Sequence, residues 1–253
     1  MTSSLSRPHP EVIFVGAGPG AAEHLTLGAL RALQEAQVVI HDRLVGKEVL
    51  ALIPPHVQLI DVGKEGFGPS TSQESINATL VAQAMTGARV VRLKGGDCGI
   101  FGRLDEEIDA LTAVGLSFRI LPGLTSATVA AAAVGQSLTK RGRNAALRIL
   151  TGHDMAGFAE QDWRGLARAG EVAAIYMGKK SARFIQGRLM MHGASGATPV
   201  TVVENVSRGD QRIIGTTLAQ LPEAVALCDG PAVILFGLAP RAASQSLVQL
   251  KEA

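Results

Sequence analysis

A chain of 253 residues that is 47% hydrophobic and 18% charged carries enough apolar material for one large core or two modest ones. Its formal net charge of +2 is too small to mark a nucleic-acid or membrane partner, so any role for charge has to come from local clustering. Two cysteines, Cys98 and Cys228, make neither a disulfide framework nor a metal-ligand spacing, which predicts a reduced, cytoplasmic setting and no metal.

Met1 to Pro10 is polar and proline-punctuated, which predicts a loose arm and not a secretory signal. No stretch reaches the roughly 18 consecutive apolar residues of a membrane span. Val12-Ile13-Phe14-Val15 reads as a buried strand, followed by the turn Gly16-Ala17-Gly18-Pro19-Gly20-Ala21 and a helix carrying Leu25, Leu30, Leu33 and Ala36. Alone, this unit fits a dinucleotide fingerprint loosely, with Ala21 in the third glycine slot and Asp42 about twenty residues on. Pro19 argues against a pyrophosphate loop, because it removes a backbone donor that phosphate oxygens use. Val38-Val39-Ile40 and Leu59-Ile60-Asp61-Val62 are the next strands, and residues 65–70 have the composition of a flexible loop. Thr71 and Glu74 have capping-box spacing ahead of a helix whose Ile76, Leu80, Val81 and Ala84 share one face.

The chain is organised around residues 90–103. Val90-Val91-Arg92-Leu93-Lys94 is a strand that runs into Gly95-Gly96-Asp97-Cys98-Gly99, and Arg103 stands at the mouth of a helix beginning near Leu104. Bare backbone, a carboxylate and a guanidinium then face the crevice where open α/β sheets bind ligands. An isolated glycine pair is equally well explained as a plain strand-to-helix turn. After this, Phe118-Arg119-Ile120-Leu121 is a strand, and Pro122-Gly123-Leu124-Thr125-Ser126-Ala127 turns into a helix of small residues. A second α/β series follows, with strands near 147–151, 172–176, 199–203, 211–216 and 232–236 and helices near 161–168, 181–191 and 217–227.

The loop Lys140-Arg141-Gly142-Arg143 is either a solvated basic turn or a grip for anions, since guanidiniums bind carboxylates in bidentate fashion. His153 has no histidine or cysteine partner at metal-ligand spacing and, at a strand end, reads as a hydrogen-bonding core residue. Met177 by itself reads as core filling.

Several ordered motifs together resemble the tetrapyrrole methylases, which move methyl groups from S-adenosylmethionine (SAM) to uroporphyrinogen III and later corrinoid intermediates. They are Gly18-Pro19-Gly20, His41-Asp42-Arg43-Leu44-Val45, Gly63-Lys64, Arg92-Leu93-Lys94-Gly95-Gly96-Asp97 and Thr151-Gly152-His153. The resemblance runs from about Val12 to Gly237 and is strongest to the branch that methylates uroporphyrinogen III. It implies two α/β domains, 11–121 and 122–242, with the cofactor and substrate cleft between them, flanked by flexible tails at 1–10 and 243–253.

The resemblance also implies roles. Pro19, Gly95, Gly96, Asp97, Ile100, Thr125, Ser126, Met177, Val206 and Ala232 would line the SAM pocket. Asp42 would accept a proton and Lys64 donate one, Arg103 would act in catalysis and substrate binding, and Glu106 and Arg141 would join it on the substrate. Asp42 could equally stabilise positive charge, and Lys64 could pair with a substrate carboxylate. A homodimer is implied too.

Three positions depart from the family pattern. Glu65 stands where a basic residue is usual. Cys98-Gly99 replaces a proline and a bulky residue, which predicts a more flexible loop and weaker cofactor affinity or altered substrate preference. Val206 replaces a glycine, which predicts a side chain where backbone would approach SAM. The rival readings are a later precorrin methylase, an RNA ribose methylase prompted by the basic loop, and a dinucleotide-binding module without methyl transfer. The RNA reading lacks an aromatic stacking platform.

Overall fold

β-Branched and aromatic runs fold as strands wherever both faces can be covered, and this chain supplies such runs at regular intervals. The structure, a computed structural model, describes residues 11–63, 72–154 and 157–241 and the backbone of 247–249. It divides into two compact units, Met1–Thr125 and Ser126–Ala253. The division falls a few residues beyond the expected 121/122 boundary.

The first unit holds β1 (Glu11–Gly16), α1 (Leu27–Glu35), β2 (Val38–His41), α2 (Lys47–Leu50), β3 (Gln58–Asp61), α3 (Gln73–Met85), β4 (Val90–Lys94), α4 (Leu104–Ala113) and β5 (Ser117–Leu121). Its strands form a five-stranded sheet in the order β3-β2-β4-β1-β5, with every pairing parallel. Two apolar layers flank it. Val15, Ala29, Leu33, Val39, Val49 and Leu93 fill one, and Phe14, Ile40, Leu80, Val90, Cys98 and Leu111 fill the other.

Helix starts follow local chemistry. Thr26 caps α1 by accepting from Ala29 N, so Leu25 precedes the helix instead of lying in it. The cap of α3 is Ser72, whose Oγ accepts from Ser75 N at 3.2 Å, and not the expected Thr71. Two hydroxyl residues stand in succession there, and the helix takes the second. Thr71, Glu65 and Lys64 lie outside the described residues.

The second unit holds α5 (Ser126–Ala133), β6 (Arg148–Thr151), β7 (His153–Asp154), β8 (Gly157–Phe158), α6 (Trp163–Leu166), β9 (Ala173–Tyr176), α7 (Ala182–Met191), β10 (Pro199–Glu204), β11 (Arg212–Thr217), α8 (Leu221–Ala226), β12 (Ala232–Phe236) and β13 (Leu247–Gln249). Its main sheet has the order β13-β11-β10-β12-β9-β6. The pairs β10–β11, β10–β12 and β12–β9 are antiparallel, whereas β6–β9 and β11–β13 are parallel. The terminal stretch expected to be a flexible tail therefore contributes a strand at Leu247–Gln249, because β11 offers it an open edge. Among the described residues, no helix is long and apolar enough to cross a membrane.

Candidate active site

In the first unit the chain leaves β1 toward β2 and leaves β4 toward β5, although β1 and β4 are neighbours. The two connections run past each other on opposite faces of the sheet, α1 on one and α4 on the other, and the loops that lead into them flank a crevice at the carboxyl ends of β1 and β4. Gly18 N donates to Gly96 O at 3.1 Å and Gly96 N donates to Gly18 O at 2.8 Å, so the loops after β1 and β4 pair through bare backbone. The turn after β5 joins them. A Cβ on Gly123 would strike Gly96 O and lie 2.7 Å from Gly16 C, so three glycines let three loops close on one another.

Asp97 braces this arrangement. Its Oδ1 accepts from Gly99 N at 2.9 Å and its Oδ2 accepts from Gly123 N at 3.0 Å. Both oxygens are thereby committed to backbone donors. Asp97→Asn turns one acceptor into a donor facing an N–H group, so chemical denaturation is expected to show the first unit destabilised by about 1–3 kcal/mol.

The loop that follows is anchored at both Cys98 and Gly99. The Cys98 side chain is fully buried in the apolar layer with Phe14 and Leu111, and Gly99 N is fixed by Asp97. Burial, followed by the neighbouring Asp97 charge, pushes the Cys98 thiol up to about 12. The folded state thus favours the protonated thiol. Its contribution to stability is complete below the unfolded value near 9.0 and is lost as pH rises toward 12. Cys98 is expected to resist thiol reagents at pH 8 in the folded protein and to react on denaturation.

Asp42 follows β2 and faces a buried ionic network that motif reading did not anticipate. Arg92 Nη2 donates to Asp42 Oδ1 at 2.6 Å. The same guanidinium grips Glu107 from Nε and Nη2, each at 3.0 Å, and Lys94 Nζ donates to Glu107 Oε1 at 2.6 Å. Arg92, Lys94 and Glu107 are all buried, while the Asp42 side chain is 31% exposed. Burial works against the Arg92 charge, but the carboxylates of Asp42 and Glu107 outweigh it and raise its pKa. The legible signal was Arg92 and Lys94 on one face of a buried strand, which demands a counter-charge. Nothing in the sequence singled out Glu107 from Asp105 and Glu106.

Arg103 caps α4 in a left-handed conformation, φ 53°, uncommon for a side chain other than glycine or asparagine. Its Nε and Nη2 each donate to Glu106 at 2.7 Å in a bidentate pair exposed to solvent. That pairing raises the Arg103 pKa and lowers that of Glu106. Gly102 beside it stays bare because a Cβ would lie 2.5 Å from the Cys98 carbonyl oxygen, with the Lys94 side chain 3.1 Å away.

In the second unit, the ends of β9 and β10 and the start of β12 lie at the same end of the sheet, with Glu204 opposite Ala232 in register. Gly230 gathers their loops. Its N donates to the buried Glu204 at 2.5 Å, its O accepts from Lys179 Nζ at 2.8 Å, and the next carbonyl, of Pro231, accepts from Asn205 N at 2.8 Å. Arg212 completes the Glu204 pair at 3.1 Å. Met177 and Asn205 take positive φ, 52° and 49°, so both loops are locally strained. Met177 is half-exposed, contrary to simple core filling. The Val206 side chain turns into the core beside Val203 and Val233, so it does not cover the backbone as expected. Ser126 opens α5, where Ala127 N donates to Tyr176 Oη at 2.9 Å.

Arg141 is exposed in the turn at 140–144, whereas Arg143 is occupied by Ser137 O and Asn144 Oδ1. His153 is exposed and meets Phe158 edge-on, so it is not the core residue its strand-end position suggested.

The family described as Tetrapyrrole (Corrin/Porphyrin) Methylases matches residues 11–222. Siroheme synthase 3 of Aeromonas hydrophila is 44% identical over 227 residues, which is 90% of this chain and 48% of that protein. The chain thus spans about half the length of the curated relatives it matches. The structure of uroporphyrin-III C-methyltransferase from Thermus thermophilus, complexed with S-adenosylhomocysteine, is 35% identical with a TM-score of 0.77, covering 90% of this chain and 97% of that one. A cobalt-precorrin-4 methyltransferase of cobalamin biosynthesis is 26% identical with a TM-score of 0.80, covering 90% and 95%.

Proposed function

Because the chain belongs to the tetrapyrrole methylases, we propose that it transfers two methyl groups from SAM to C2 and C7 of uroporphyrinogen III, giving precorrin-2 and S-adenosylhomocysteine. The observation that carries this reading is the glycine cradle braced by Asp97, with Asp42 at the carboxyl end of a strand in the same unit. The cradle suits the methyl donor. Nothing lies within 4 Å of where a Cβ on Gly96 would be, so its backbone is open to close approach.

SAM, when bound, supplies an already activated methyl group. The chain's own task is placement, and holding two reactants in line supplies up to roughly 7–11 kcal/mol. From the first unit, Pro19, Gly95, Gly96, Asp97, Ile100 and Thr125 are the proposed contacts to the donor. Ser126, Met177, Val206 and Ala232 are those from the second, with Val206 contributing backbone only.

Methylating a pyrrole carbon adds positive character to the macrocycle, which loss of a proton relieves. Asp42 takes that proton, and Lys64 returns one where the macrocycle needs it. Arg103, oriented by Glu106, and Arg141 hold substrate carboxylates through charge-assisted hydrogen bonds. The protein acts as a cytoplasmic homodimer without a nucleic-acid or membrane partner.

Anaerobic incubation with SAM and uroporphyrinogen III, followed by mass analysis of the oxidised tetrapyrrole, tests this. A gain of two methyl groups is expected. No gain with SAM still bound discards the substrate. The likeness to the cobalt-precorrin-4 enzyme favours a later precorrin as the second reading, and the ring position of the new methyl separates the two.

A further inference from the structure

Glu107 sits in the first turn of α4 yet is 1% exposed, and it is the point where the buried charges of the first unit meet. Its two oxygens take the Arg92 fork and Lys94, and Gln73 Nε2 approaches Oε1 at 3.4 Å. Across the network, two cations, Arg92 and Lys94, balance two carboxylates, Asp42 and Glu107. Of these four, only Asp42 reaches solvent appreciably.

Arg92 Nη2 serves both carboxylates, so the fork on Glu107 sets where its remaining N–H points, and that direction sets the Asp42 carboxylate. A buried ion cluster needed only for packing could be replaced as a whole by apolar side chains at little cost. This network instead terminates on an accessible carboxylate at the strand end. Lys94 also lies beneath Gly102, so the same Glu107 supports the loop that ends at Arg103.

We propose that Glu107 is a positioning residue for methyl transfer: by neutralising Lys94 and holding Arg92 in a fixed fork, it sets the orientation and the electrostatic surroundings of Asp42 without touching substrate. This rests on the role given to Asp42 above. The other ionisable groups at this strand end are Arg43, which is adjacent, and His41, whose Nδ1 lies 3.3 Å from Asp42 O and 4.0 Å from Asp61 Oδ1.

The test follows the Asp42 carboxyl carbon by NMR in protein labelled with ¹³C-aspartate, assigned by its loss in Asp42→Asn. In Glu107→Gln, Arg92 and Lys94 face Asp42 without their counter-charge, so its titration midpoint moves down by about one pH unit. Adding Lys94→Met removes the surplus and returns the midpoint toward its original position. Turnover in Glu107→Gln falls about 100-fold while SAM affinity is kept. An unmoved midpoint in Glu107→Gln overturns the proposal, as does a midpoint that Lys94→Met fails to restore.

Should Glu107→Gln not fold, Glu107→Asp keeps the charge but cannot span both Arg92 nitrogens. The midpoint then stays while kcat falls about tenfold, and undiminished kcat overturns the proposal. If the unaltered protein methylates no uroporphyrinogen III, the functional reading fails, yet the titrations still decide whether Glu107 governs Asp42.

Discussion

Arg103→Lys is expected to reduce kcat/KM for uroporphyrinogen III about 100-fold while the SAM dissociation constant stays within threefold of its original value. The geometry gives the reason. Arg103 uses two nitrogens on Glu106 and has further N–H groups on the same plane for a substrate carboxylate. A lysine ammonium is a point charge that cannot present both faces of that fork at once. The left-handed backbone at Arg103 is equally strained for either side chain, so stability changes little and the loss is one of recognition. SAM binding measured by calorimetry and turnover measured on the same preparation separate the effects. Undiminished turnover removes Arg103 from the substrate site.

Gly123→Ala is expected to abolish measurable SAM binding and to destabilise the first unit by about 2–5 kcal/mol. The new methyl group would meet Gly96 O and the Gly16 backbone, and none of those atoms can rotate aside as a side-chain tip could. The turn after β5 must back away, which also pulls Gly123 N from Asp97 Oδ2. A control exists in α7. Nothing lies within 4 Å of a Cβ on Gly187, so Gly187→Ala should stabilise the second unit by about 0.5–1 kcal/mol through helix propensity and leave SAM affinity alone. Comparable SAM affinity in Gly123→Ala would mean that the three loops do not form a tight cradle.

The longer strands of both units were legible because they are short apolar, β-branched runs between turn residues, whereas the two-residue β7 and β8 carry no such run. The glycine loops were legible because Gly95-Gly96-Asp97 follows such a run directly. The use of Asp97 as a brace was not. Its partners Gly99 N and Gly123 N are backbone groups, which leave no mark on side-chain patterning. Val206 was misjudged for a related reason: in a tight turn flanked by positive φ at Asn205 and Ser207, one residue's difference in phase decides whether a side chain meets core or ligand. The strand at Leu247–Gln249 escaped notice because three residues carry no readable period.

The interior position of β1 bears on how the protein is made. Val12, among the earliest described residues, pairs with Val90 on one side and Phe118 on the other. An emerging chain therefore carries an apolar strand with both edges open until most of the first unit has left the ribosome. Such long-range parallel pairings make folding slow and leave nascent chains exposed to aggregation. The Asp97–Gly123 link can close only after β5 is in place, so competence to bind the methyl donor should arise late, as one of the last events in maturation of that unit.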